Sequence, residues 1–122
     1  MILFQRKINE MKKIILDCDP GQDDAVALAL AMAATNEIKL LGVTTVAGNV
    51  PLNLTQRNAR IMCEMCHRTD VKVYAGAEKP LEHELVTAEH VHGKSGLDGI
   101  EIYEPTHPLE ESMQLILSLK HA

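Results

Sequence analysis

The stretch ILDCDPGQDDAVAL, residues 15–28, runs from β-branched and apolar residues through a cluster of acids into a series of small apolar ones. Ile14, Ile15 and Leu16 form a short apolar run of the kind that predicts a strand buried on both faces. Pro20 and Gly21 stop it. Ala25 to Ala34 is then almost entirely small or apolar with high helix propensity, which predicts a buried helix ending at Thr35-Asn36.

Further along, Leu40 to Val46 (LLGVTTV) reads as a second buried strand, closed by Ala47-Gly48-Asn49. Pro51 stands where a helix start tolerates it, and Leu54, Asn58, Ile61, Met62 and Met65 recur at helical spacing. Val71 to Ala75 (VKVYA) predicts a third strand. Strand–helix–strand–helix–strand with short joints defines an α/β fold, a Rossmann-like βαβαβ unit with a parallel sheet. Gly76 to Pro108 is irregular and holds four histidines, a length that points to function. Glu110 to His121 predicts a closing helix with no further strand, as in the front part of a larger sheet.

Composition narrows the partners. The chain of 122 residues holds 12 basic and 17 acidic side chains, a formal net charge of −5, with 46% hydrophobic and 2% aromatic residues. That is a globular composition with neither the basic cluster nor the stacking rings of a nucleic-acid groove. No stretch reaches the ~18 apolar residues of a membrane span. Residues 1–11 read as an N-terminal extension, with Met11 a candidate start. They lack the pattern of a secretory signal, so the expected location is cytoplasmic. Three cysteines do not make a disulfide framework. Cys63-Glu64-Met65-Cys66-His67 matches a haem-attachment pattern in form, but sits where the second helix should end. No second ligand pair follows at zinc-finger spacing.

Asp17, Asp19, Asp23 and Asp24 fill four of eight consecutive positions. Capping explains one or two acids at a helix start. Four acids converging on one mouth would repel, and an all-carboxylate set suits a hard cation, calcium or magnesium. An EF-hand counted from Asp17 fails at Gln22 and Leu28. A phosphate-binding loop ending at Gly93-Lys94-Ser95 fails at Ala88. Asp-x-Asp at a strand end also opens magnesium-dependent phosphohydrolases, though Pro-Gly-x-Asp-Asp does not follow there.

The run Asp17-Cys18-Asp19-Pro20-Gly21-Gln22-Asp23-Asp24-Ala25 closely resembles the signature of the inosine–uridine-preferring nucleoside hydrolases. Leu41 to Asn49 (LGVTTVAGN), Thr55 to Ala59 (TQRNA) and His92 to Leu97 (HGKSGL) are similar in order and distance. The resemblance implies a partial nucleoside hydrolase domain over residues 12–122, truncated after the first half. It implies hydrolysis of the N-glycosidic bond of a ribonucleoside to ribose and free base. Asp19 and Asp24 would then bind calcium, with Asp19 also taking a proton from water. Asp23 would hold the ribose 2′-hydroxyl, Asn49 would orient water or ribose, and His92 would lie beside the leaving base. Asp17 carries over no direct metal role. The resemblance also implies a homo-oligomer. Against it stand two alternatives, a non-catalytic truncated remnant and a magnesium-dependent Asp-x-Asp phosphohydrolase.

Overall fold

The apolar run after Met11 forms strand β1 (Lys12–Cys18), and the small-residue run forms helix α1 (Gln22–Ala33). The computed structural model describes residues 10–112 together with Leu115 and Leu119. Strand β2 (Ile38–Thr45), helix α2 (Leu52–Met65), strand β3 (Val73–Ala75), a short helix α3 (Glu89–His92) and strand β4 (Leu109–Glu111) follow. The four strands lie in the order β1-β2-β3-β4, and each pairs parallel with its neighbour. The α/β parallel-sheet class is therefore as the strand–helix alternation predicts. The extension expected over residues 1–11 lies, apart from Glu10 and Met11, outside the described residues.

One core organises these elements. Ala25, Leu28 and Met32 of α1 recur at helical spacing and meet Ala59, Met62 and Cys63 of α2 against Val43 and Val73 of the sheet. Burying a side chain such as Leu28 or Met32 contributes about 1.5–3 kcal/mol. Because both helices share this cluster, both cover the same sheet face. Strand β1 is accordingly not buried on both faces as its composition predicts: Leu16 and Cys18 pack inward, while Ile15 is 38% exposed on the other side. Met65, expected on the apolar stripe of α2, is half exposed.

Cys63-Glu64-Met65-Cys66-His67 turns out to be a helix stop. Arg68 N donates to Cys63 O at 2.8 Å and His67 N to Glu64 O at 3.0 Å, with His67 at φ 52°. That is a Schellman cap, in which the residue after the C-cap turns left-handed. Cys63 is fully buried in the core.

The polar edge of α2 recruits the last strand. Arg60 Nε donates to His107 O (2.7 Å) and Arg60 Nη2 to Pro105 O (2.9 Å). Glu64 accepts from Tyr103 OH (2.8 Å), Thr106 Oγ1 (3.0 Å) and His107 N (2.7 Å). Held there, the chain enters the sheet, and Leu109, Glu110 and Glu111 pair with Val73, Tyr74 and Ala75. The helix expected over Glu110–His121 is thus corrected at its start, and the βαβαβ unit gains a fourth strand. Pairing with the sheet edge outweighs the helix preference of two glutamates. Residues 113–114, 116–118 and 120–122 of that expected helix lie outside the described residues.

These hydrogen bonds, that of Tyr103 first, hold the Glu64 carboxyl below its ordinary 4.5. A depressed carboxylate contributes stability that is complete above the unfolded value and lost as pH falls through the folded one. Urea unfolding should therefore show a loss of stability as pH falls below about 4.5 that is smaller in Glu64→Gln. Equal losses in the two proteins would mean that Glu64 does not hold the 103–107 segment.

Candidate active site

Strands β1, β2 and β3 all end along one edge, and the turns that leave them meet there, the place where open parallel sheets take ligands. Val46 N donates to Cys18 O at 3.1 Å, so the turns after β1 and β2 start side by side. Asp19 and Asn49 then lock together. Asn49 N donates to Asp19 Oδ2 (2.8 Å) and Asn49 Nδ2 to Asp19 O (2.8 Å). Asp19 N in turn donates to Asp24 Oδ2 at 3.0 Å. Gly48 leaves room for this arrangement, because a Cβ there would collide with the Asp19 carboxylate.

The four acids do not converge. Asp17 stands on the outer sheet face and accepts a 2.6 Å hydrogen bond from Thr44 Oγ1, its register partner. Asp23 is exposed in the first turn of α1, and Asp24 is half-buried one residue on. Among the described residues no three His, Cys, Asp or Glu side chains gather in one cluster. The expected mouth of four carboxylates is corrected to a pair, Asp19 and Asp24. Separating the acids lowers their mutual repulsion, but not fully. Burial, then the charges of Asp19 and Asp23, push the Asp24 carboxyl above its ordinary value, against the pull of the Asp19 N–H.

In each of Asp19 and Asp24 the hydrogen bonds above engage Oδ2. An oxygen-only pair with residual negative charge fits a hard divalent cation. The neighbouring thiol has no such use. Burial, and then Asp24, Asp17 and Asp19, push Cys18 up to about 12, so it stays protonated at neutral pH.

His92, at the end of α3, comes to the other side of the same turn. Its Nδ1 lies 2.6 Å from Gln22 Oε1, and its ring lies against Gly21, where a Cβ would come within 2.6 Å of Nδ1. Asn58 fastens this second side. From a fully buried position in α2, its Nδ2 donates to Pro20 O (3.0 Å) and to Ser95 O (2.8 Å). One side-chain amide thereby ties the acidic turn to the His92–Leu97 loop. The structure thus joins Asp19, Asp24 and Asn49 directly, sets His92 against the turn, and leaves Asp23 at its rim.

Gln22 and Asn58 carry no role in the sequence-based reading. Asn58 had a usable signal: an asparagine on an otherwise apolar helical stripe must find partners when it is buried. Replacing it by leucine keeps much of its bulk but orphans two carbonyls, at about 1–3 kcal/mol each. Asn58→Leu should lower unfolding free energy by about 2–4 kcal/mol in urea titrations. A change below about 0.5 kcal/mol, the usual surface scatter, would remove the clamp from the account.

An α/β parallel sheet thus carries a carboxylate pair and an asparagine at the carboxyl ends of its first two strands, where open parallel sheets take ligands. The profile of the inosine–uridine preferring nucleoside hydrolases matches residues 14–121, and the chain belongs to that family. It is 54% identical over 99 residues to the uncharacterised protein C1683.06c of Schizosaccharomyces pombe, covering 81% of this chain and 32% of that protein. It is 52% identical over 93 residues to the pyrimidine-specific ribonucleoside hydrolase RihA of Enterobacter sp. (strain 638), covering 76% and 29%. Among solved structures, it resembles the purine-preferring ribonucleoside hydrolase from Gardnerella vaginalis with a TM-score of 0.72 at 30% identity, covering 88% and 35%. The chain therefore spans about a third of the length of these relatives.

Proposed function

We propose that this chain supplies the ribose-facing part of a site that hydrolyses the N-glycosidic bond of ribonucleosides, with calcium as cofactor. The observation that carries this reading is the hydrogen-bonded set Asp19–Asp24–Asn49, which brings two carboxylates together where the first two strands end. Family membership supports the reaction class. The relatives' names differ on the base, one pyrimidine-specific and one purine-preferring, so the proposal stops at ribonucleoside.

Asp19 and Asp24 would hold the calcium ion, which when bound supplies a fixed charge for the ribose hydroxyls and makes a water more acidic. Cleavage builds positive charge on the sugar ring, and negative carboxylates beside it stabilise that charge. The Asp19 carboxylate accepts the proton of the attacking water. Asp23, exposed at the start of α1, holds the 2′-hydroxyl. Asn49 keeps Asp19 oriented through both its backbone and its side-chain N–H. His92 delivers a proton or hydrogen bond to the leaving base.

Calcium takes 6–8 oxygens, and two carboxylates supply a minority of them. The alternative reading is a non-catalytic remnant. The measurement that separates them is ribose release from inosine and uridine in calcium, alongside calorimetry of calcium binding. The proposal expects turnover that falls by at least about 10²-fold in Asp19→Asn, the usual contribution of a general base. It expects calcium to raise the melting temperature by binding only the folded state. Calcium binding without ribose release would favour the remnant. Phosphate release from a nucleotide in magnesium, with no ribose from a nucleoside, would favour the phosphohydrolase. Homo-oligomer formation belongs to the same proposal, supported by Val26 and Leu30, 61% and 67% exposed on α1, and read by sedimentation velocity.

A further inference from the structure

The contact between His92 and Gln22 has a direction. Gln22 Nε2 donates to Asp98 O at 3.4 Å, and a backbone carbonyl can only accept. The NH₂ end of the Gln22 amide therefore faces Asp98, and its oxygen faces the imidazole. That oxygen lies 2.6 Å from His92 Nδ1 and has no proton to give. The hydrogen between them must belong to Nδ1.

We infer that Gln22 is a positioning residue that fixes the His92 ring as the Nδ1–H tautomer and reserves Nε2 for the ligand. A neutral imidazole carries one N–H, so with Nδ1 occupied the lone pair stands on Nε2. A proton gained by the ring arrives on Nε2 and leaves from it, while Nδ1–H stays with Gln22. Three further contacts hold the ring and its loop in this pose. The ring rests on Gly21, where any Cβ would meet Nδ1, Cε1 and Cγ within 2.9 Å. Asn58 ties Ser95 O, three residues beyond His92, to Pro20 O. Ala88 N donates to Asn49 O at 2.8 Å, anchoring the start of α3 to the turn after β2. Gln22 is thus an uncharged residue of the acidic turn that sets the chemistry of its neighbour.

Only the catalytic consequence rests on the proposed ribonucleoside hydrolysis; the tautomer is a property of the folded chain. It is measured by nitrogen NMR on protein labelled with ¹⁵N-histidine, at about pH 8.5, two units above the ordinary imidazole value of about 6.5. The chain has six histidines, and His92→Gln identifies the signal. In the parent protein His92 should show Nδ1 protonated and Nε2 bare. Gln22→Leu should move the ring toward Nε2–H, the form that free imidazole prefers, and Gln22→Glu should restore Nδ1–H. Gln22 is half-buried in the first turn of α1, so amide spectra of the two variants should otherwise match the parent. An Nε2–H ring in the parent protein, or one unmoved by Gln22→Leu, overturns the inference. Where nucleoside turnover is measurable, Gln22→Leu should lower kcat about tenfold or more with KM little changed, within the range of general acid–base catalysis, and Gln22→Glu should recover it. An absence of turnover in the parent protein counts against the proposed function and leaves the NMR result to decide this one.

Discussion

Asp19 makes hydrogen bonds through its backbone N–H, its backbone carbonyl and one carboxylate oxygen, and among the described residues two supply these partners. Asp24 takes the N–H, and Asn49 engages both the carbonyl and the carboxylate. The pair reaches across from the end of β1 to the turn after β2, so it continues the sheet's cross-linking past the last ladder bonds. Everything at the site is placed relative to this lock. It engages one carboxylate oxygen of Asp19, bends Asp24 back over the turn, and requires a residue without Cβ at Gly48. Because each bond is partly shielded from water, breaking one would strand a polar group at a cost larger than the bond's own net worth.

Helix α2 serves three neighbours. Its apolar stripe joins the core through Ala59, Met62 and Cys63. Asn58, on the same buried side, spends both amide protons on Pro20 O and Ser95 O, drawing two loops far apart in sequence onto one spot. Arg60 and Glu64, one turn apart, hold the 103–107 segment and bring β4 to the sheet edge. The helix then stops at His67, whose left-handed conformation satisfies the last carbonyls. A cysteine pair and histidine that resemble a cofactor motif are a core residue, a helix end and its cap.

Electrostatics sorts the acids as firmly as packing sorts the apolar groups. Alternation along β1 sends Asp17 to the outer face, where Thr44 neutralises part of its demand for a donor. Helical rotation leaves Asp23 in solvent and turns Asp24 inward. Burial first, and then the charges of Asp19 and Asp23, raise the Asp24 carboxyl, and burial with the surrounding aspartates keeps the Cys18 thiol protonated. A cation would relieve the first effect, and neither effect makes the cysteine a nucleophile.

Local chemistry in the sequence determined the order of elements from β1 to β3, the turn at Pro20-Gly21, the start of α2 at Pro51, and the family signature. Each of these rests on propensity, periodicity or a short motif, which act over a few residues. The sequence also carried Asp19, Asp24, Asn49 and His92 as candidates, since the signature is contiguous or nearly so. Tertiary structure alone decided the rest. That α1 and α2 share one core, exposing the other side of β1, depends on how the sheet is covered. The conversion of Glu110 and Glu111 from helix to strand depends on Arg60 and Glu64 holding a segment some forty residues away. The division of four acids into a hydrogen-bonded pair, one on the outer sheet face and one at the rim of the turn depends on which face each backbone position presents. Gln22 and Asn58 gain their roles from carbonyls and a ring brought in from the 92–98 loop, and no local pattern encodes a partner that distant.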